Sequence, residues 1–246
     1  QSPIIPVVGA WIRNNPGTLS LGQGMVSYPP PESALAAIRG YGRQSEQHLY
    51  GSAFGHPQLL ARIRDKLRHE NGLDMTAGIE VMVTAGSNMA FLNALLAITD
   101  PGDEIILPLP YYFNQEMAVR MLDCVPVTVP TDSSYQLNLS RLRAAITDKT
   151  RAIVTISPNN PSGNSLAAPD VRELLSKFNG IVVIDEAYAD FAPGKSLLPE
   201  LANYNNLIVM QTFSKAWGLA SLRLGMAFAG GFDRVDVGIC ARSATL

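Results

Sequence analysis

Cysteine is almost missing from this sequence. Cys124 and Cys240 stand far apart with no CxxC spacing, which argues against a disulfide framework and for a reducing compartment. Histidine is nearly as scarce. His48, His56 and His69 share no metal-ligand spacing and no cluster with cysteine or carboxylate, so zinc is not expected. Charge is thin as well: 16% of residues are charged and the net charge is −2. That balance supports neither a nucleic-acid surface nor contact with an anionic membrane. The basic stretch "RIRDKLRHENG" reads as the solvated face of a helix. No apolar run reaches membrane-spanning length, "FLNALLAIT" being too short. The opening "QSPIIPVVGAWIRNNPG" lacks a basic start and is broken by prolines; no signal peptide is expected, and the cytoplasm is the expected location.

What is present is core-forming material. Of 246 residues 47% are hydrophobic, enough for one large core or a core with a small lobe. Short β-rich runs alternate with helical patterns. "EVMVTAG", "DEIILPLP", "CVPVTVP", "RAIVTIS", "GIVVIDEA", "NLIVMQT" and "GMAFAG" read as strands, several apolar on both faces. Between them "SNMAFLNALLAIT", "YFNQEMAVRML", "SRLRAAIT" and "PDVRELLSKF" carry helical spacing, the last with Pro169 near its start. The alternation predicts an α/β fold, a three-layer sandwich around a mostly parallel central sheet. Residues 1–40, rich in Pro and Gly with "YPPP" as a hard break, read as an extended N-terminal arm and part of a small domain. Residues 41–229 then form the large domain, and 230–246 an atypical short tail. Met82, Met89 and Met210 read as core filler, and Trp217 as packing beneath the loop of Lys215.

Open α/β sheets bind ligands at the carboxyl ends of their strands. Here those ends deliver Gly86, Ser87 and Asn88; Tyr111 and Tyr112; Asn159 and Asn160; Asp185, Glu186 and Tyr188; and Thr212, Ser214 and Lys215. "TAGSNMAF" turns a strand into a helix, where free backbone N–H groups and the helix dipole favour a phosphate; alone it reads equally as a turn with an N-cap serine. Asp185 ends an apolar strand and needs a cationic or protonated partner if buried; alone it could cap a helix. Lys215 becomes a nucleophile when neighbouring cations or desolvation leave its amine partly neutral, and Arg223 is a candidate cation; alone it is a surface lysine. Taken together, a phosphate cradle, an aromatic plate, a buried acid and an activated lysine describe a site for pyridoxal phosphate. In such a site the lysine forms the Schiff base and the acid pairs with the pyridinium nitrogen.

"NNPSGN", "VVIDEAYADF" and "TFSKAWGLASLRLG", in this order, resemble the fold type I pyridoxal-phosphate-dependent aminotransferases of class I/II, over about residues 18–229. The resemblance implies an enzyme that moves an amino group between an amino acid and a 2-oxo acid. It implies that Lys215 is the Schiff-base lysine and proton shuttle, and that Asp185 partners the pyridine nitrogen. Tyr188 and Asn160 would hydrogen-bond the phenolic oxygen of the cofactor. Gly86, Ser87, Asn88, Thr212 and Arg223 would bind the phosphate, and Tyr112 would stack on the ring, although stacking by Tyr112 and packing by Tyr111 are not told apart. Tyr50, in "HLYGSAFGHPQL", would reach the phosphate of a neighbouring subunit in a homodimer with shared sites. "LSLGQGMVSYPPP" is similar to the segment whose backbone near Gly24 meets the substrate carboxylate; its GxG is no phosphate loop, since prolines and not a helix follow.

The subfamily signal is divided. "LGQG" and "AFGHP" resemble broad-specificity and aromatic or kynurenine-type aminotransferases. "DEAYADFA" followed by "QTFSKAWGLASLRLG", with thirty positions between Asp185 and Lys215, resembles histidinol-phosphate aminotransferases. After "LRLGMAFA" the family continues through a long helix and a C-terminal small domain that carries the arginine for the α-carboxylate. Here seventeen residues follow, and Arg242, in "ICARSATL", stands in surroundings unlike that arginine's. The rivals to an aminotransferase are a lyase or decarboxylase of the same fold and a truncated, non-catalytic module that binds pyridoxal phosphate.

Overall fold

The computed structural model describes residues 4–20, 24, 26–76 and 78–230; the tail from 231, with Arg242 and Cys240, lies outside them. A seven-stranded sheet forms the middle layer. Its strands are β1 (Glu80–Thr84), β2 (Glu104–Leu109), β3 (Val125–Pro130), β4 (Thr150–Ile156), β5 (Ile181–Asp185), β6 (Leu207–Thr212) and β7 (Gly225–Ala229), in the order β1-β7-β6-β5-β4-β2-β3. Pairs from β3 through β6 are parallel, while β7 runs antiparallel to both β1 and β6.

The helices are α1 (Ile4–Asn14), α2 (Glu32–Gly40), α3 (Pro57–Asn71), α4 (Ser87–Ile98), α5 (Phe113–Met121), α6 (Leu139–Ala145) and α7 (Ala168–Lys177). Alternate residues of the strands feed two cores. Val182 and Ile184 of β5 join Ile63 and Leu67 of α3, Leu142 of α6 and Val171 and Leu174 of α7. Val183 joins Phe91 and Leu95 of α4 and Val119 of α5 on the opposite face. This is the three-layer α/β sandwich expected from runs apolar on both faces. Met82 and Met210 pack into the second core, but Met89, in the first turn of α4, is 41% exposed.

One expectation needs correction. The first forty residues are not wholly extended: α1 and α2 lie within them, neither with a buried residue. Pro6 falls in the first turn of α1 and Pro31 is the N-cap of α2. At helix starts the amide hydrogen that proline lacks has no intrahelical partner anyway. Prolines read as breaks therefore mark beginnings here.

Candidate active site

The carboxyl ends of β4, β5 and β6 open onto one crevice, with the turn from β1 into α4 facing it across β7. Gly86 is the N-cap of α4 with φ 81°, and the first engaged amides of the helix are Met89 and Ala90, both donating to Gly86 O. The amides of Ser87 and Asn88 precede them, in the position where a helix offers donors to an anion. Arg223, exposed and with φ 53°, closes this corner; a Cβ on Gly86 would overlap its Nη2. Arg223 Nη1 donates to Ala220 O at 3.0 Å and reaches Ser214 Oγ at 3.4 Å. Gly225 at the start of β7 is equally tight, since a Cβ there would overlap the Gly86–Ser87 peptide. Thr212 sits deeper. It is 5% exposed, its Oγ1 donates to Leu224 O at 3.1 Å and accepts from Ser214 N–H at 3.1 Å. Ser214 therefore stands nearer the guanidinium than Thr212 does.

On the other side, Asn160 Nδ2 donates to Tyr188 Oη at 2.9 Å, across twenty-eight positions of sequence. Gly24 lies against this pair: a Cβ there would be 2.9 Å from Tyr188 Oη and 3.6 Å from Asn160 Nδ2. Lys215 is half-buried, its Nζ donating to Gly24 O at 3.4 Å and standing 5.3 Å from the centre of the Tyr188 ring. The Lys215 loop is held from both sides. Tyr28 Oη donates to Ala216 O at 2.6 Å, and Trp217 Nε1 donates to Asp190 Oδ2 at 3.0 Å. Trp217 is thus 37% exposed and tethered by its indole rather than packed beneath the loop.

Asp185 ends β5 at 7% exposure. Ala187 N–H donates to its Oδ1 and Gln115 Nε2 to its Oδ2, each at 3.1 Å. Burial pushes this carboxyl up to about 6, against the pull of the Ala187 amide, the Gln115 amide and the Lys215 charge. Glu186 is buried behind it, where Ser196 Oγ (2.7 Å), Leu197 N–H (2.5 Å) and Gln211 Nε2 (2.9 Å) donate to its carboxylate. Burial raises its pKa too. Tyr112, at the N-cap of α5, accepts from Asn114 Nδ2 at 2.7 Å, and burial raises its phenol's pKa while Asn88 opposes this. Tyr111 turns aside to donate to Glu116 at 2.5 Å and packs against the second core. Tyr50 is fully exposed. Gln115 had no distinguishing mark in the sequence except its place three residues after Tyr112, which puts both on one helix face.

The family described as aminotransferase class I and II matches residues 16–233. A histidinol-phosphate aminotransferase of Cytophaga hutchinsonii is 37% identical over 191 residues, covering 75% of this chain and 54% of that protein. An aspartate aminotransferase of Pyrococcus abyssi is 30% identical over 223 residues, 86% of this chain and 56% of that protein. Among solved structures, the aspartate aminotransferase from Thermus thermophilus with maleate superposes with a TM-score of 0.85 at 27% identity, over 99% of this chain and 65% of that one. The chain spans about half the length of these curated relatives. Its sheet, its crevice and the span of the match agree, and the chain belongs to the aminotransferase class I and II family, whose cofactor is pyridoxal phosphate.

Proposed function

We propose that this chain binds pyridoxal phosphate in the crevice and acts, in the protein it represents, as an aminotransferase between an amino acid and a 2-oxo acid. The observation that carries the reading is the buried Asp185 at the end of β5, with the half-buried Lys215 amine beside the Asn160–Tyr188 pair. The donor set fits the cofactor group by group. The α4 amides of Ser87 and Asn88, with Arg223 and the Ser214 and Thr212 hydroxyls around them, suit a phosphate dianion. Gly86 leaves room there that a side chain would take. Tyr112 offers an aromatic face, and the Tyr188 hydroxyl with the Asn160 amide suits a phenolic oxygen.

The bound cofactor supplies an electron-accepting ring with an aldehyde for amine chemistry. The chain's own residues do the rest. Asp185 as a carboxylate would accept a hydrogen bond from a protonated ring nitrogen and favour that protonation. Lys215 Nζ would take a proton from the substrate α-carbon and, for transamination, give it up on the cofactor side rather than to the same carbon. The grip on phosphate by α4 and Arg223 keeps the reacting atoms in register while that proton moves. Gly24, beside Lys215 and Tyr188, is where the substrate carboxylate would meet backbone.

Within this reading the substrates are an amino acid and a 2-oxo acid, and the relatives favour the histidinol-phosphate and aspartate classes. The exposure of Tyr50 supports a homodimer in which it serves the neighbouring site. The buried, free Cys124 supports a cytoplasmic setting. No helix among the described residues is long and apolar enough to cross a membrane. Residues 41–229 hold the cofactor in this scheme and 1–40 approach it from the side.

The test is the visible spectrum of the purified chain with pyridoxal phosphate, then borohydride reduction, peptide mapping and addition of an amino acid. The expected result is cofactor fixed on Lys215 and a 2-oxo acid released. Ammonia or carbon dioxide as product would point to a lyase or decarboxylase, and fixation without any response to amino acids to a binding module.

A further inference from the structure

Two donors hold the Asp185 carboxylate, one on each oxygen. The Ala187 amide is local, two residues on. The Gln115 amide crosses seventy positions of sequence from the first turn of α5. Gln115 is 2% exposed, and its Oε1 is buried with no hydrogen-bond partner. Such orphaned acceptors are few in folded proteins, and each calls for a reason. A side chain kept only to fill this space would avoid the orphan, since methionine has similar volume and no strong acceptor to strand. The reason lies at the other end of the same amide: Nε2 cannot reach Asp185 without carrying Oε1 into the interior.

We propose that Gln115 is a positioning residue for Asp185, its amide N–H holding Oδ2 so that the carboxylate keeps one orientation and its charged form. The inference rests on the reading of Asp185 as the partner of the cofactor ring. Burial works against the charge, and with the carboxyl pushed up to about 6 the donors around it decide its state near neutrality. The other titratable groups facing it are Lys215 from the loop after β6, Tyr112 from the start of α5, and Glu186 after β5. Lys215 alone among these is a cation, and its amine is committed to other chemistry. One turn of α5 thus does two things: Tyr112 faces the crevice, and Gln115 steadies the acid at the end of β5.

The experiment is a carboxyl-carbon NMR titration of the cofactor-free chain, with Asp185 identified by the signal lost in Asp185→Asn. In Gln115→Met the Asp185 midpoint should rise by about one pH unit. The pH below which affinity for pyridoxal phosphate is lost should rise with it. A folded Gln115→Met with an unmoved midpoint overturns the proposal, and so does an affinity reduced by the same factor at every pH. If melting shows that variant unfolded, Gln115→Glu serves instead: an acceptor opposite Asp185 should raise the midpoint further, and an unmoved midpoint again overturns it. Failure of the underlying reading looks different. Asp185→Asn would then bind pyridoxal phosphate as tightly as the parent at every pH, whatever the NMR titration says of Gln115.

Discussion

Gly86 and Arg223 are in contact across the mouth of the crevice, glycine Cα against guanidinium, with both backbones at positive φ, 81° and 53°. A left-handed conformation suits glycine and costs other residues of order 1 kcal/mol. The arginine's tolerance of it marks a backbone bent to aim a side chain.

Gly86→Ala should therefore act twice. The new Cβ must displace the guanidinium and adopt an unfavourable φ, for a loss of about 1–3 kcal/mol in stability. Affinity for pyridoxal phosphate should fall about tenfold or more as the charge-assisted contact is lost. Urea denaturation and a cofactor titration measure the two effects; stability lost with affinity intact would remove the phosphate from this corner.

Lys215→Ala should abolish the mass that borohydride fixes on the chain in the presence of pyridoxal phosphate. The side chain is half-buried on a loop, so the unfolding free energy of the cofactor-free protein should change little, within about 0.5 kcal/mol. Mass spectrometry of the reduced protein decides it. Mass still fixed on another lysine would reassign the attachment site.

The raised pKa of Asp185 has a stability consequence with a definite sign. The cofactor-free folded state binds the proton more tightly than the unfolded chain does. Asp185 therefore weighs nothing against the fold below about 3.8 and progressively destabilises it as pH rises to about 6, after which the loss is complete. The size is on the order of 2–3 kcal/mol. Asp185→Asn should flatten that part of the pH–stability curve and be the more stable protein at pH 7 without cofactor. Cofactor affinity should change oppositely, falling below pH 6 in the parent. A parent curve with no slope between pH 4 and 6 would contradict the burial argument.

A purely structural position offers a control. Asn206 Nδ2 lies within hydrogen-bond reach of Leu175 O at 3.1 Å, Phe178 O at 2.9 Å and Gly180 O at 3.2 Å, which ties the end of α7 to the start of β5. Asn206→Ala should cost about 1–3 kcal/mol by leaving those carbonyls short of a donor. The same denaturation assay measures this, with cofactor affinity at low temperature expected to stay as in the parent.

The strands were readable because residues such as Val182, Val183 and Ile184 are apolar on both faces, which a covered parallel sheet requires. The sequence picked Lys215, Asp185 and the Asn160–Tyr188 pair as uncommon residues at strand ends, and the structure brings them to one crevice. Three things were not readable. Prolines 6 and 31 looked like breaks because a proline at a helix start and a proline in a loop share the same local chemistry. Ser214 and Thr212 are both hydroxyl residues two apart, and only the hydrogen bonds that bury Thr212 separate them. Gln115 is an unremarkable amide in one dimension, and its importance arises from a contact seventy residues away.

The antiparallel β7 has a consequence for the order of assembly. Among the described strands β1 pairs with β7 alone, so Thr84 meets its neighbour Gly225 only across more than half the chain. On a ribosome, β1 and the turn behind it emerge well before residues 225–229 and remain an unpaired edge until those are made. Contacts this distant close slowly, and the waiting edge is open to other strands meanwhile. The corner proposed for phosphate is thus completed only once β7 is made, and a ligand bound there would stabilise only a chain already past its most exposed stage.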